Sequence, residues 1–108
     1  MVDRCALWQK APKRDKFYCQ YCGMDGLKDF DTYYPFEVDH VKPESYGGTD
    51  TMDNLVSCCP TCNSLKGRKD FDSFEEAKKY IERRRKEEET RWGEYSFSYK
   101  SWLAELRK

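Results

Sequence analysis

The sequence predicts a small α+β domain, a short strand-loop-strand unit flanked by helices and held by a metal staple. Three observations predict it: Cys-x-x-Cys pairs at Cys19/Cys22 and Cys59/Cys62, two β-rich stretches between them, and a capping-box helix after them. At 108 residues the chain has the usual length of one domain and is too short for two that each bury a core unaided. Only 38% of residues are hydrophobic and mean hydropathy is −1.04, so the expected core is thin and calls for an external staple.

In chain order, "DRCALWQK" (3–10) predicts a short helix carrying Cys5 as a core thiol, and "APKRDKF" leads into the knuckle "CQYC". The turn-rich "GMDGLKDFDTYYP" reads as loop. "FEVDHV" alternates with period two, placing Phe36, Val38 and His40 on one face of a strand. "KPESYGGTDTMD", punctuated by Pro43 and Gly47-Gly48, turns the chain back into a second short strand, "NLVSC". "PTCNSLKGRK" fits a helix with Pro60 in its first turn, where the missing N–H costs nothing.

Ser73 and Glu76 form a capping-box signature, followed at helical spacing by Phe74, Ala77, Tyr80, Ile81 and Arg84. Arg83, Arg84 and Arg85 precede Glu87, Glu88 and Glu89 by four residues, a spacing that supports a helix. "YKSWLAELR" (99–107) predicts a last, separate amphipathic helix with Trp102, Leu103 and Leu106 turned inward. Residues 73–108 are thus expected to form a C-terminal helical extension that covers the core.

Each Cys-x-x-Cys pair can place two thiolates on one tetrahedral ion. Four thiolates close the coordination shell, so Cys19, Cys22, Cys59 and Cys62 are expected to hold a structural zinc, on the order of 10 kcal/mol of apparent folding free energy. Disulfides are the alternative, and they need an oxidising compartment. No signal-peptide pattern and no run of membrane-spanning length is present, so a cytoplasmic protein without a membrane partner is expected. Cys58 is out of step with the second pair and is expected to pack as a small hydrophobe.

Net charge is zero and by itself gives no support to nucleic-acid binding. Its distribution is uneven: residues 23–59 carry two bases and eight acids, whereas 60–86 carry nine bases and five acids. An acidic loop region beside a basic helical one follows.

"VDH.KP", "GG", "DNLV" and "C..CN..KG" occur in that order among the cysteine pairs. Over roughly residues 17–70 this pattern resembles the HNH endonuclease family. The resemblance implies a ββα-metal (HNH) core at 17–70 within a single domain spanning 1–108, DNA as partner, and hydrolysis of phosphodiester bonds without a small-molecule cofactor. It also implies a catalytic divalent cation besides the structural zinc. Asp39 and Asn63 would hold that cation through hard oxygen donors, His40 would take a proton from the attacking water, and Asn54 would support the loop through hydrogen bonds. Lys66, Arg68 and Lys69 would contact phosphates.

The last letter of the family name is usually His, and here it is Asn63. An amide in place of an imidazole makes the site harder, which favours Mg2+ or Mn2+ over zinc or nickel. Asp39 and His40, as neighbours on a strand, point to opposite faces, so their roles must be separated in space. One chain offers one site, which implies nicking of duplex DNA by a monomer or a weak homodimer. The alternative is a non-catalytic zinc-stapled module that binds nucleic acid or protein.

Overall fold

The computed structural model describes residues 4–107, with side chains from Ala6 onward. Cys5, expected as a core thiol, therefore lies with its side chain outside the described residues. The order of elements is α1 (Arg4–Arg14), α2 (Phe30–Tyr33), β1 (Glu37–His40), β2 (Leu55–Cys58), α3 (Pro60–Lys66) and α4 (Phe74–Leu106).

The first helix runs four residues beyond the expected end, through Pro12. Tertiary bonds hold that last turn against the lost backbone bond. Arg14 donates to the carbonyls of Met52 (2.6 Å) and Leu55 (2.5 Å), and Asp15 accepts from the Ser57 amide at 2.8 Å. Ala11, on the inner face of the same turn, is fully buried. The segment read as loop before β1 contains a single helical turn, α2, capped by Asp29 accepting from the Thr32 amide.

β1 and β2 pair antiparallel, Glu37 opposite Cys58 and His40 opposite Leu55. The side chains alternate as expected, with one difference: Asp39, not the Phe36/Val38/His40 face, supplies the most deeply buried position of β1. The loop between the strands is tightly folded on itself. Gly48 passes so close to the Lys42 carbonyl that a Cβ there would stand 1.7 Å from the oxygen, and Gly47 has φ +89°. Both positions demand glycine.

Cysteines replace large aliphatics at the centre: Cys19, Cys58, Cys59 and Cys62 are buried beside Tyr21, Phe71, Ala77 and Ile81. Cys58 packs there as a small hydrophobe, and burial pushes its thiol pKa up. The outer layer is α4, which contacts the rest of the fold chiefly through α3.

The C-terminal region departs most from expectation. One 33-residue helix replaces two. Ser73 caps it by accepting from the Glu76 amide at 3.2 Å. Gly93, in the stretch between the two expected helices, costs only about 1 kcal/mol in a helix, and ion pairs leading up to it offset that cost. These are Arg84 with Glu87 and Glu88, and Arg91 with Glu88. Trp102 and Leu106, expected inward, are 64% and 67% exposed. The second half of α4 thus covers no core, and the molecule extends over 57 × 29 × 20 Å.

Candidate active site and metal centre

Two turns converge on one cluster of sulfurs. The knuckle at Cys19–Cys22 is closed by an isolated bridge between Tyr18 and Asp25, and Cys59 caps the N-terminus of α3. Ligand atoms of Cys19, Cys22, Cys59 and Cys62 all lie within 4.8 Å of one another. A zinc about 2.3 Å from four sulfurs sets them about 3.8 Å apart; Cys22 Sγ and Cys59 Sγ are separated by 3.7 Å. The amides of Cys22 and Cys62 donate to the Cys19 and Cys59 sulfurs at 3.5 and 3.4 Å, which directs lone pairs and partial positive charge as thiolates require.

Arg85 of α4 lies over this cluster. Its guanidinium donates to the sulfurs of Cys62 (3.3 Å), Cys59 (3.4 Å) and Cys22 (3.5 Å). Four thiolates around a divalent ion carry net negative charge, and one arginine offsets part of it. Sequence reading saw only a helix charge at Arg85, because the 63-residue separation from Cys22 hides the contact.

A cleft of about 590 Å³ opens where β1, the following loop and α3 meet. Asp39, His40, Glu44, Asn63, Lys66 and Arg68 line it. Three residues expected in catalysis or cation binding, Asp39, His40 and Asn63, therefore share one cavity. The strand geometry separates Asp39 and His40 in the expected sense. Asp39 faces inward, accepting from the Tyr21 hydroxyl at 2.8 Å, while His40 turns to the loop and packs against Trp8 of α1, ring centroids 5.5 Å apart.

His40 Nε2 lies 2.6 Å from Asp50 Oδ1 and 3.2 Å from Glu44 Oε1. Neither acid was singled out in the sequence, where they read as ordinary loop carboxylates. Their position depends on the fold of the glycine loop, and only the pairing of a lone histidine with a short acidic loop hinted at it. Asp50, Glu44 and His40 together have ligand atoms within 4.8 Å of one another.

Asn54 stands behind the cleft. It accepts from the Lys42 amide at 2.9 Å and donates to the carbonyls of Lys42 and Thr49, each at 3.0 Å. Its own carbonyl accepts from the Val41 amide. One side chain thus ties both ends of the loop that carries Glu44 and Asp50.

The basic residues are placed differently from one another. Lys66, expected to reach a phosphate, is 1% exposed. Its ammonium donates to the His40 carbonyl at 2.9 Å and pairs with Asp39 at 3.3 Å. A four-carbon stem with its charge fully paired behaves as a buried structural group, so the phosphate-contact expectation for Lys66 gives way to an internal ion pair. Burial raises the Asp39 pKa, and Lys66 and Tyr21 oppose that rise. Arg68 is exposed at the cleft rim. Lys69 does not line the cleft, and its ammonium lies 4.4 Å over the Tyr80 ring.

Asp39 and Asn63 fit the donor set for a hard cation. Asn63 gives its amide nitrogen to Glu37, which leaves the amide oxygen as the donor it could offer a cation. Asp39 Oδ1 meets Lys66 only at 3.5 Å and so retains lone-pair capacity.

Among the described residues no helix is long and apolar enough to cross a membrane. Residues 19–69 match the family model described as HNH endonuclease. The chain is 36% identical over 70 residues to the CRISPR-associated endonuclease Cas9 of Corynebacterium diphtheriae, covering 63% of this chain and 6% of that protein. It is 43% identical over 54 residues to the type IV methyl-directed restriction enzyme EcoKMcrA of Escherichia coli K12, covering 47% of this chain and 19% of that one. No solved structure shows a significant match. The matches to these relatives thus span a small part of either one, and the family-model match falls on the knuckles, strands and cleft described above: residues 19–69 of this chain match the HNH endonuclease family.

Proposed function

We propose that the cleft is the active site of a divalent-metal-dependent DNA endonuclease that hydrolyses one phosphodiester bond per encounter. The observation that carries this reading is the gathering of Asp39, His40 and Asn63 around one cavity. Both relatives are named as an endonuclease or a restriction enzyme, which supports DNA as substrate.

Asp39 and Asn63 would hold Mg2+ or Mn2+, which supplies charge stabilisation to the phosphate in the transition state. His40 acts as general base. Asp50 and Glu44 both face Nε2, so the proton resides on Nε2 and Nδ1 is left to take a proton from water. Trp8 and Asp50 between them fix the plane and direction of the ring. Arg68, at the rim, contacts a flanking phosphate, and Asn54 keeps the loop closed over His40. The four sulfurs hold zinc as a structural ion, with thiolates that persist in a reducing compartment such as the cytoplasm.

One cleft per chain attacks one strand, so the primary product from duplex DNA is a nick. The test is cleavage of supercoiled plasmid with and without Mg2+ or Mn2+, beside His40→Ala. Nicked circle that depends on cation and on His40 is expected. Linear product appearing before nicked circle would contradict the nicking step, and wild-type activity in His40→Ala would remove the cleft as active site. Binding without cleavage under every cation would favour a zinc-stapled binding module.

A further inference from the structure

We propose that the outer half of α4 is a self-association seam on which a second copy of this chain docks antiparallel. Arg85 is the side chain through which α4 reaches the sulfur cluster. Beyond it, Thr90 bonds to the Lys86 carbonyl, Arg91 to Glu88 and Ser101 to the Phe97 carbonyl, all within the helix. From Arg85 to Leu106 the helix extends for about 30 Å at about 1.5 Å per residue.

Along that length Trp92, Tyr95, Tyr99, Trp102 and Leu106 follow one another at intervals of 3, 4, 3 and 4 residues. Each is more than half exposed. A period of 3.5 keeps a stripe facing a second helix over successive turns, whereas a stripe made to lie on a globular body follows 3.6. Aromatic side chains in an unbroken stripe of this kind mark a contact surface.

The flanking charges select the occupant. Arg91 and Glu105 each precede a seam residue by one position, Trp92 and Leu106 respectively, and so lie on the same side of the stripe. In an antiparallel pair that layers Trp92 against Trp102 of the second copy and Tyr95 against its Tyr99, Arg91 comes opposite the second copy's Glu105. The two-fold axis repeats the ion pair at the other end, near Ser98 at the centre. A parallel pair of the same helices sets Arg91 beside Ser96 and forms neither ion pair. Antiparallel docking also places the two globular bodies at opposite ends of the helix pair, where they do not collide. The seam is independent of what the cleft does.

The test is sedimentation of the zinc-loaded full chain over a concentration range reaching about 100 µM, the regime of a modest interface. A mass twice the 12.9 kDa of one chain is expected at the upper end. Trp102→Glu should return the chain to a monomer with helix content and zinc content unchanged, since Trp102 is 64% exposed and, among the described residues, the outer half of α4 lies outside the core. Arg91→Glu should weaken the dimer by about tenfold, because two attractions become two repulsions. The double variant Arg91→Glu/Glu105→Arg should restore it to within about threefold. A monomer at every concentration overturns the proposal, as does a dimer indifferent to Trp102→Glu. A double variant no tighter than Arg91→Glu alone overturns the antiparallel register.

Discussion

The Nε2 atom of His40 lies 2.6 Å from Asp50 Oδ1, and Glu44 Oε1 stands 3.2 Å from the same nitrogen. Two carboxylates on one ring nitrogen hold a proton there. The other nitrogen is then the basic one, and in the proposed mechanism it is the one that takes a proton from water.

Asp50→Asn tests that assignment. The amide presents an N–H as readily as an oxygen, so it no longer specifies the tautomer, as an orienting carboxylate does. A fall in kcat of at least about tenfold with KM nearly unchanged is expected, bounded by the roughly 10²–10⁴-fold loss that general-base removal in His40→Ala should give. Single-turnover nicking of plasmid at saturating DNA measures it. Equal losses in kcat and in DNA affinity would show that Asp50 shapes the cleft rather than the imidazole.

Zinc removal should unfold the domain. With cysteines where other small domains keep aliphatics, the sulfurs without an ion are polar groups with no bonding partner equal to a metal, three of them buried (Cys19, Cys59 and Cys62) and that of Cys22 exposed. Far-ultraviolet circular dichroism during chelation should show loss of the fold in step with release of one zinc per chain. Arg85→Ala should lower zinc affinity about 10–100-fold, the usual cost of an outer-shell partner. Nicking by the zinc-saturated variant should be unchanged, because Arg85 does not line the cleft.

Features set by local chemistry were legible in the sequence. The sulfur spacing of Cys19/Cys22 and Cys59/Cys62, the period-two pattern of "FEVDHV" and the Ser73 cap each act over a few residues, and each has its expected counterpart in the structure. Features set by tertiary packing were not. Lys66 reads as a surface cation until β1 and α3 come together and bury it against Asp39. Asp50 reads as a loop acid until Gly47 and Gly48 fold the loop back toward His40. The separation expected between the capping-box helix and a helix at 99–107 is absent because charge pairs one and two turns before Gly93 carry the helix past it.

Asn54→Ala should loosen the loop without disturbing the zinc centre. It removes one accepted and two donated hydrogen bonds, each contributing about 1 kcal/mol net. Amide exchange at Lys42 and Gly48 should accelerate, while amides of β2 and α3 keep their protection. Activity should fall with it, since Glu44 and Asp50 ride on that loop. Unchanged exchange at Lys42 would mean that the backbone bonds of Gly48 and Val41 suffice to hold it.

Lys66→Met should move the acid limb of the pH-activity profile to higher pH. Burial already raises the Asp39 pKa, and the Lys66 ammonium at 3.3 Å is the leading influence that opposes it. Methionine fills the same space without charge, so the carboxylate loses that support and its pKa rises further. Cation binding needs the ionised carboxylate, and protonation on the way down in pH therefore sets in earlier. Activity near the alkaline end, where Asp39 is ionised in both proteins, should differ least. The alternative is that Lys66 acts on the phosphate itself, and then Lys66→Met would lower activity by the same factor at every pH. Initial nicking rates across the acid range, at saturating Mn2+ or Mg2+, separate the two outcomes.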